Sequence, residues 1–474
     1  MKPEIQIDVA IIGAGSAGLR ALREVLRAGR SFVLIDRGPL GTTCARVGCM
    51  PSKVALHAGN VWAARQEMSE IGASGLENLS LDTARVWASL RRQRDQFASN
   101  PAAKARSMAG EFLLEGPARF IAPGVLEITL GEEIQIVRAG AVVIATGSHP
   151  VKPKWLAPVA AWTVTTDELF ELKELPQRVG VLGLGAIGLE MGLALSRLGV
   201  EVIGADVANT VGGIVHPEIA ERAIARFGRE MSLWLGSAAT VTATDDGVLM
   251  RAGDREAKVD LVIAAMGRQP NIDRLNLAAA GISLDEAGRP IFDPATMQIG
   301  NTSVFIAGDA NGDRPLMHEA ADEGSIAGYN AAHQKQARFA RKVALGIAFS
   351  DPDIISIGAR FDQIDSNRIH IGQASGEANG RARILGAEEN LLRIYADADS
   401  GRLLGAAMIG MRGEHLAHLL AWAIQRGETA DSLLELPFYH PVIEEMLQTA
   451  LQDIVRQSHK DSALPPGLAL EKNQ

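Results

Sequence analysis

The chain of 474 residues holds two cysteines, Cys44 and Cys49, in the run GTTCARVGCMPSK (41–53). A bridge between them would close so short a loop that it adds little to stability, so the pair suits electron transfer better than stapling. Pro51 and Lys53 follow. Proline fits the first turn of a helix, and a helix N-terminus can draw a thiol pKa down to roughly 3.5–7.5. Two unpaired buried thiols, or half of a metal site, are the other readings. A structural zinc site wants four ligands, and no nearby Cys or His completes one.

His440 and Glu445 stand five apart in HPVIEE, around a helix expected to open at Pro441. Thiol chemistry needs a base near neutral pH, the usual task of histidine. A carboxylate on the far ring nitrogen would fix the tautomer and stabilise imidazolium. The other reading is a histidine near a helix cap with a first-turn glutamate answering the dipole. His318, in LMHEAADEG, reads as structural or cofactor-adjacent. His415 and His418 share one helix with no third metal ligand near them.

Two units must position this chemistry. In IDVAIIGAGSAGLRALREVLRAGRSFVLID (7–36), an apolar strand runs into Gly13, Gly15 and Gly18, then an amphipathic helix, then a strand ending at Asp36. RVGVLGLGAIGLEMGLALSRLGVEVIGAD (178–206) repeats the pattern with Gly183, Gly185, Gly188 and Asp206, the acid at the same offset from the first glycine. The glycines serve a tight turn, close approach of backbone to a pyrophosphate, and helix–strand packing. The helix N-terminus faces the phosphates, and the acid accepts from a ribose hydroxyl. One such motif is weak evidence; two between strand and helix, with matched acids, are strong. Asp206 would repel a 2′-phosphate, and no Arg or Lys follows within DVANTVGG (206–213), which favours NAD over NADP.

The length implies several domains. A net charge of −9 argues against a nucleic-acid footprint. The basic stretch RRQRDQF (91–97) is flanked by acids and reads as a solvated helix face. No apolar run is long enough to span a membrane, and the N-terminal apolar segment enters a glycine motif rather than a cleavage site. These features point to the cytoplasm, where a persistent disulfide is transient and catalytic. Three more strands are expected in GAVVIATGSHP (140–150), LVIAAMGRQPN (261–271) and SVFIAGDANGD (303–313). Asp309, at the end of the last, is either a ligand-edge carboxylate or a turn acid. After about residue 340, FSDPDIISIG, ARILGAEENLLRIYAD and RLLGAAMIGM alternate like antiparallel strands, followed by helices in 413–427 and 437–455 and a mobile closing stretch, LPPGLALEKNQ.

In this order of motifs the chain resembles the FAD-dependent pyridine-nucleotide disulfide oxidoreductases, and within them the dihydrolipoamide dehydrogenases most closely. The resemblance implies an α/β fold with two Rossmann-like dinucleotide-binding domains plus a C-terminal α+β dimerisation domain with an antiparallel sheet. The implied bounds are 1–150 (FAD, first part), 151–272 (NAD), 273–340 (FAD, second part) and 341–474 (dimerisation). It implies FAD contacts at Gly13, Gly15, Ser16, Gly18, Asp36, Lys53, Ala118, Thr146, Gly147, Asp309, Met317 and His318, and NAD contacts at Gly183, Gly185, Ala186, Ile187, Gly188, Glu190, Asp206 and Gly267. It further implies a redox-active Cys44–Cys49 disulfide, with Cys44 as interchange sulfur and Cys49 against the flavin. Lys53 would pair with Glu190, and in a homodimer His440 of one subunit, oriented by Glu445, would serve Cys44 of the other. The substrate would be a lipoyl-carrying protein or a small dithiol or disulfide. The chain departs from the family pattern at four places: Ala45-Arg46 where Asn usually stands two residues after the first Cys, Val442 for Thr, Phe438-Tyr439 before the His, and Asp36 for Glu. Arg46 and Phe438-Tyr439 are expected along the substrate channel.

Overall fold

Each glycine motif ends a strand and opens a helix. In the computed structural model, which describes residues 4–458 and 465–468, β1 (Ile5–Ile12), α1 (Ser16–Arg27) and β2 (Phe32–Asp36) form the first unit. Two short steps follow, α2 (Thr43–Val47) and α3 (Cys49–Ala63), then the long α4 (Thr83–Ala109). β3 (Glu133–Ile144) starts well before the apolar run expected at 140, because an antiparallel hairpin partner (Val125–Leu130) extends it. The second unit is β4 (Arg178–Leu182), α5 (Ala186–Arg197) and β5 (Glu201–Asp206). β6 (Leu261–Ala264), β7 (Val304–Ile306) and α6 (Met317–Ala332) come next.

The first sheet has parallel β7, β3, β1 and β2 at its centre. The chain leaves it after β3, builds a second, wholly parallel sheet containing β5, β4 and β6, and returns to it through β7. α6 lies directly on α1. A Cβ at Gly324 would stand 2.2 Å from the Ala17 carbonyl oxygen, and one at Gly328 would stand 2.5 Å from the Ala21 Cα, so only glycine allows this approach. The two helices thereby run in the same direction, with Gly324 of α6 against Ala17 on the first turn of α1.

The last sheet is antiparallel, in the order β8 (Leu345–Ala348), β9 (Asp353–Gly358), β12 (Leu403–Gly410), β11 (Leu391–Asp397) and β10 (Ile369–Ser375). One face packs on the second unit through Ile354, Tyr395 and Ile409; the other packs on α7 (Gly413–Arg426) and α8 (Glu445–Ser458). Three expectations are corrected. ARIL is not strand: Gly380–Ile384 is helical because the Asn379 side chain accepts from the Ala382 N–H and caps it. The final helix opens at Glu445, not Pro441, so His440 stands on a turn ahead of it. The basic stretch on α4 is not wholly solvated: Arg94 is buried and paired with Asp95 and Glu171, and Arg91 donates to the Leu172 carbonyl. The closing stretch lies largely outside the described residues.

Asp353, buried where β9 begins, shares a hydrogen bond with Glu414 on the first turn of α7. Burial first, then Glu414, pushes its carboxyl up to about 8. A proton held more tightly in the folded state contributes stability that is complete below the unfolded value near 3.8 and lost as pH rises through about 8. Asp353→Asn keeps a donor and removes the titration. The fall in melting temperature between pH 6 and pH 9 is therefore expected to shrink in this variant, and an unchanged slope would refute the assignment.

Candidate active site

The two glycine loops have the same local chemistry. Gly13 (φ +110°) and Gly183 (φ +91°) turn where a Cβ would stand 2.2 Å from the Ala145 carbonyl oxygen and 2.6 Å from that of Ala265. Gly18 and Gly188 each pack against the first glycine of their motif, with room for no Cβ: it would stand 1.8 Å from the Gly13 or Gly183 oxygen. A Cβ at the middle glycines, Gly15 and Gly185, would meet nothing within 4 Å, so the backbone is left bare towards a ligand. Each acid braces its own loop. Asp36 accepts from Ala14 N–H (2.6 Å) and Gly38 N–H (2.7 Å), while Asp206 accepts from Leu184 N–H (2.6 Å) and Ala208 N–H (2.8 Å). This bracing role was not legible in the spacing, which suggested only a ribose acceptor.

Two adjoining cavities open on the first loop. The outer, about 520 Å³, is lined by Gly13, Gly15, Asp36, Ala118, Thr146 and Gly147, among others. The inner, about 260 Å³, is lined by Gly15, Ser16, Cys44, Cys49, Lys53, Gly147, Ala186, Ile187, Glu190, Asp309 and Met317, among others. Gly15, Thr43, Val47, Ala145, Gly147 and Arg268 line both and mark the join. Arg268 is a site residue the sequence did not reveal. It donates to the Ser148 hydroxyl and carbonyl, and that hydroxyl donates to Asp309 at 2.6 Å. Its setting in MGRQPN, read as the closing turn of the second unit, gave no sign that it reaches the first. His318, beside Met317, lines neither cavity, and neither does Gly267. His415 and His418 are exposed, and among the described residues no cluster could hold a metal ion.

Several helices begin at the inner cavity, four of them long: Ser16 opens α1, Cys49 opens α3, Ala186 opens α5 and Met317 opens α6. Their positive dipole ends favour negative charge in this space. Lys53 adds a cation. Its ammonium lies 2.9 and 2.8 Å from the two oxygens of buried Glu190, which also accepts from Phe349 N–H, and 4.6 Å from the centre of the Phe349 ring. Removing Lys53 would leave the buried Glu190 carboxylate without its cation.

Both cysteines are free thiols in the structure rather than the expected bridge, and they share a hydrogen bond. The bond from Cys44, aided by the Lys53 charge against the cost of burial, lowers Cys49 to about 7. The same bond, with burial, raises Cys44. The pair therefore ionises at Cys49, the residue at the helix start, and Cys44 keeps its proton.

His440 Nδ1 lies 2.9 Å from a Glu445 oxygen, and the other oxygen accepts from Val442 N–H at 3.1 Å. These two bonds, the histidine's first, hold Glu445 below its usual range. With Nδ1 engaged, Nε2 is free to handle a proton. The pair does not line the thiol cavity: His440 is 78% exposed, beside exposed Leu436 and Tyr439. Arg46 lines the outer cavity and donates to the Pro39 carbonyl, and it is not among the residues lining the thiol cavity.

The outer cavity fits an FAD dinucleotide. Its glycine cradle is bare of side chains, four arginines line it, and the buried Thr146 hydroxyl beside it has no hydrogen-bond partner.

Comparison with known proteins agrees. The pyridine nucleotide-disulphide oxidoreductase pattern matches residues 7–324, and that of the family's dimerisation domain matches 345–451. Dihydrolipoyl dehydrogenase of Bacillus subtilis (strain 168) is 30% identical over 94% of this chain and 98% of its own. That of Vibrio cholerae is 27% identical over 95% and 96%. Among solved structures, LpdA from Mycobacterium tuberculosis superposes with a TM-score of 0.83 at 22% identity, covering 94% of this chain and 99% of that one. The HOCl-induced flavoprotein disulfide reductase RclA from Escherichia coli gives 0.82 at 21%, with the same coverage. At these identities the structures speak for the fold alone. The chain belongs to the pyridine nucleotide-disulphide oxidoreductase family, and its cofactors are FAD and NAD.

Proposed function

We propose that the protein is an NAD-dependent dihydrolipoyl dehydrogenase: a dithiol and NAD⁺ give a disulfide, NADH and a proton. The observation that carries this is the Cys44–Cys49 pair at the start of α3, in a cavity continuous with the FAD cradle and with its proton on Cys44. In the oxidised enzyme the two sulfurs form a disulfide. His440, held by Glu445, takes the proton from a substrate thiol, and the thiolate attacks Cys44 Sγ. The Cys44–Cys49 bond breaks and Cys49 leaves as a thiolate, favoured by the helix start and Lys53. The second substrate thiol attacks its partner sulfur in the mixed disulfide and releases the oxidised product; its proton goes to the leaving Cys44 thiolate, and His440 gives up the first proton to solvent. The substrate has lost two electrons and the cysteine pair has gained them. FAD, held in the cradle of Gly13, Gly15 and Gly18, would supply the route by which the two electrons reach NAD. Residues 1–150 and 273–340 serve as the FAD domain, 151–272 as the NAD domain and 341–474 as the dimerisation domain.

A second reading, an NADH-dependent reductase of another disulfide, persulfide or quinone, draws on the departures at Val442 and Phe438-Tyr439 around His440. Assaying both directions separates the two. NAD reduction by dihydrolipoamide supports the first; no turnover with it, but NADH oxidation with another acceptor, supports the second.

Asp206→Arg tests the nucleotide choice. Because Asp206 also braces its loop, the variant is expected to lose activity with both nucleotides. The informative quantity is the NADP-to-NAD ratio of kcat/KM, expected to rise about tenfold, which corresponds to about 1.4 kcal/mol. An unchanged ratio would remove the carboxylate from the argument.

A further inference from the structure

We propose that Arg46 is a phosphate-binding residue for FAD, replacing a neutral position of the family with a cation directed at the dinucleotide's diphosphate. The inference rests on the assignment of the outer cavity to FAD. Thr43, Arg46 and Val47 share one face of α2, at i, i+3 and i+4. Thr43 and Val47 line the join between the two cavities, and Arg46, between them on the helix, lines the outer cavity. The diphosphate of a dinucleotide running from the Asp36 end to the thiol end belongs at that join, because the bare Gly15 backbone and the start of α1 stand there.

The side chain is placed for this task and not committed elsewhere. Its stem lies against Gly41, where a Cβ would stand 3.3 Å from the Arg46 Cδ. Among the described residues its guanidinium has no carboxylate partner. Its one hydrogen bond, to the Pro39 carbonyl, is long at 3.3 Å. The other donors are available to the fork geometry that pairs an arginine with phosphate oxygens. The other arginine at the join, Arg268, is engaged with Ser148 and lies 3.8 Å from Asp309, so it has less to offer an anion.

The test is flavin release from the holoenzyme, followed by the rise of free-flavin fluorescence on dilution, at 0.05 and 0.5 M salt. Arg46→Asn is expected to speed release by about ten- to a hundredfold, the range of a charge-assisted hydrogen bond. It should also blunt the acceleration by salt that an ionic contact confers. Arg46→Lys, a point charge without the fork, should fall between, and it carries the test if the Asn variant does not accumulate. In the loaded fraction the KM for dihydrolipoamide should be unchanged. Unaltered release and salt response would overturn the proposal. So would unaltered release with a raised KM, which would return Arg46 to the substrate channel. A wild-type protein that purifies without flavin would overturn the cofactor assignment itself, an outcome seen before any variant is made.

Discussion

Cys49→Ser is expected to lower dihydrolipoamide-dependent NADH formation by about 10³-fold or more, the scale seen when one member of a unit that acts together is removed, while FAD stays bound. The sulfur at position 49 sits at the first residue of α3, in the cavity where α1, α5 and α6 also begin, and it feels the Lys53 charge. The serine hydroxyl cannot form a disulfide, and it does not ionise at neutral pH. Three readouts separate this from a folding defect. The flavin-to-protein ratio should match wild type. NADH oxidation with an acceptor that takes electrons directly from flavin should persist. Long-wavelength charge-transfer absorbance on partial reduction should vanish, because the thiolate is gone. Cys44→Ser should also abolish dithiol oxidation but keep that absorbance, since Cys49 remains. A disulfide substrate offers a further contrast. In Cys49→Ser, the Cys44 thiolate can attack it, forming one bond to a substrate sulfur and expelling the other sulfur as a thiolate. With no second cysteine to resolve the adduct, its mass should be trapped on the protein. In Cys44→Ser no such adduct should form at Cys49 if Cys44 is the interchange sulfur. Full dithiol oxidation by the Cys49 variant would end the mechanism.

What the sequence made legible, and what it hid, divides along the range of the interactions involved. The two glycine units were readable because their constraints are local. A missing Cβ and an acid at a fixed offset are written in about thirty consecutive residues, and the matched loops realise both. The start of α3 at the cysteines was readable for the same reason. The Lys53–Glu190 pair spans distant positions, yet each residue lies within a recognisable motif, so it could be anticipated. Arg268 could not. Its cavity-facing position depends on the antiparallel pairing of Ser148–Pro150 with Arg268–Pro270, which joins the two dinucleotide regions. The late opening of α8 was hidden by a plausible local signal. Proline suits a helix start, but Glu445 spends its carboxylate on the His440 ring and the Val442 N–H, and the chain stays non-helical up to it. Arg46 lines the outer cavity on the face of α2 it shares with Thr43 and Val47, a placement that depends on how α2 packs and not on the local run of residues.

His440→Gln is the second large effect, a loss of about 10²–10⁴-fold in kcat/KM for dihydrolipoamide, the range of a positioned general base. Its distinctive consequence concerns which subunit the histidine serves. In one chain the thiols line the inner cavity, while His440 is exposed on the dimerisation domain beside Leu436 and Tyr439. Helix α7 shows Leu419 and Trp422 on one outward face of the same domain. A second copy covering this region would bring the histidine of one subunit to the cysteines of the other, and a two-fold axis would make the exchange reciprocal. Mixing inactive Cys49→Ser with inactive His440→Gln makes the point measurable. A mixed dimer then has one site with intact cysteines from the His440 variant and intact histidine from the Cys49 variant, and one site lacking both. Random exchange should restore about a quarter of wild-type activity, because half the dimers are mixed and half the sites in each are complete. If the histidine serves the cysteines of its own chain, every site in the mixture carries one defect and no activity returns. Tagging the two variants differently and isolating the mixed dimer sharpens the contrast to about one half of wild type against none.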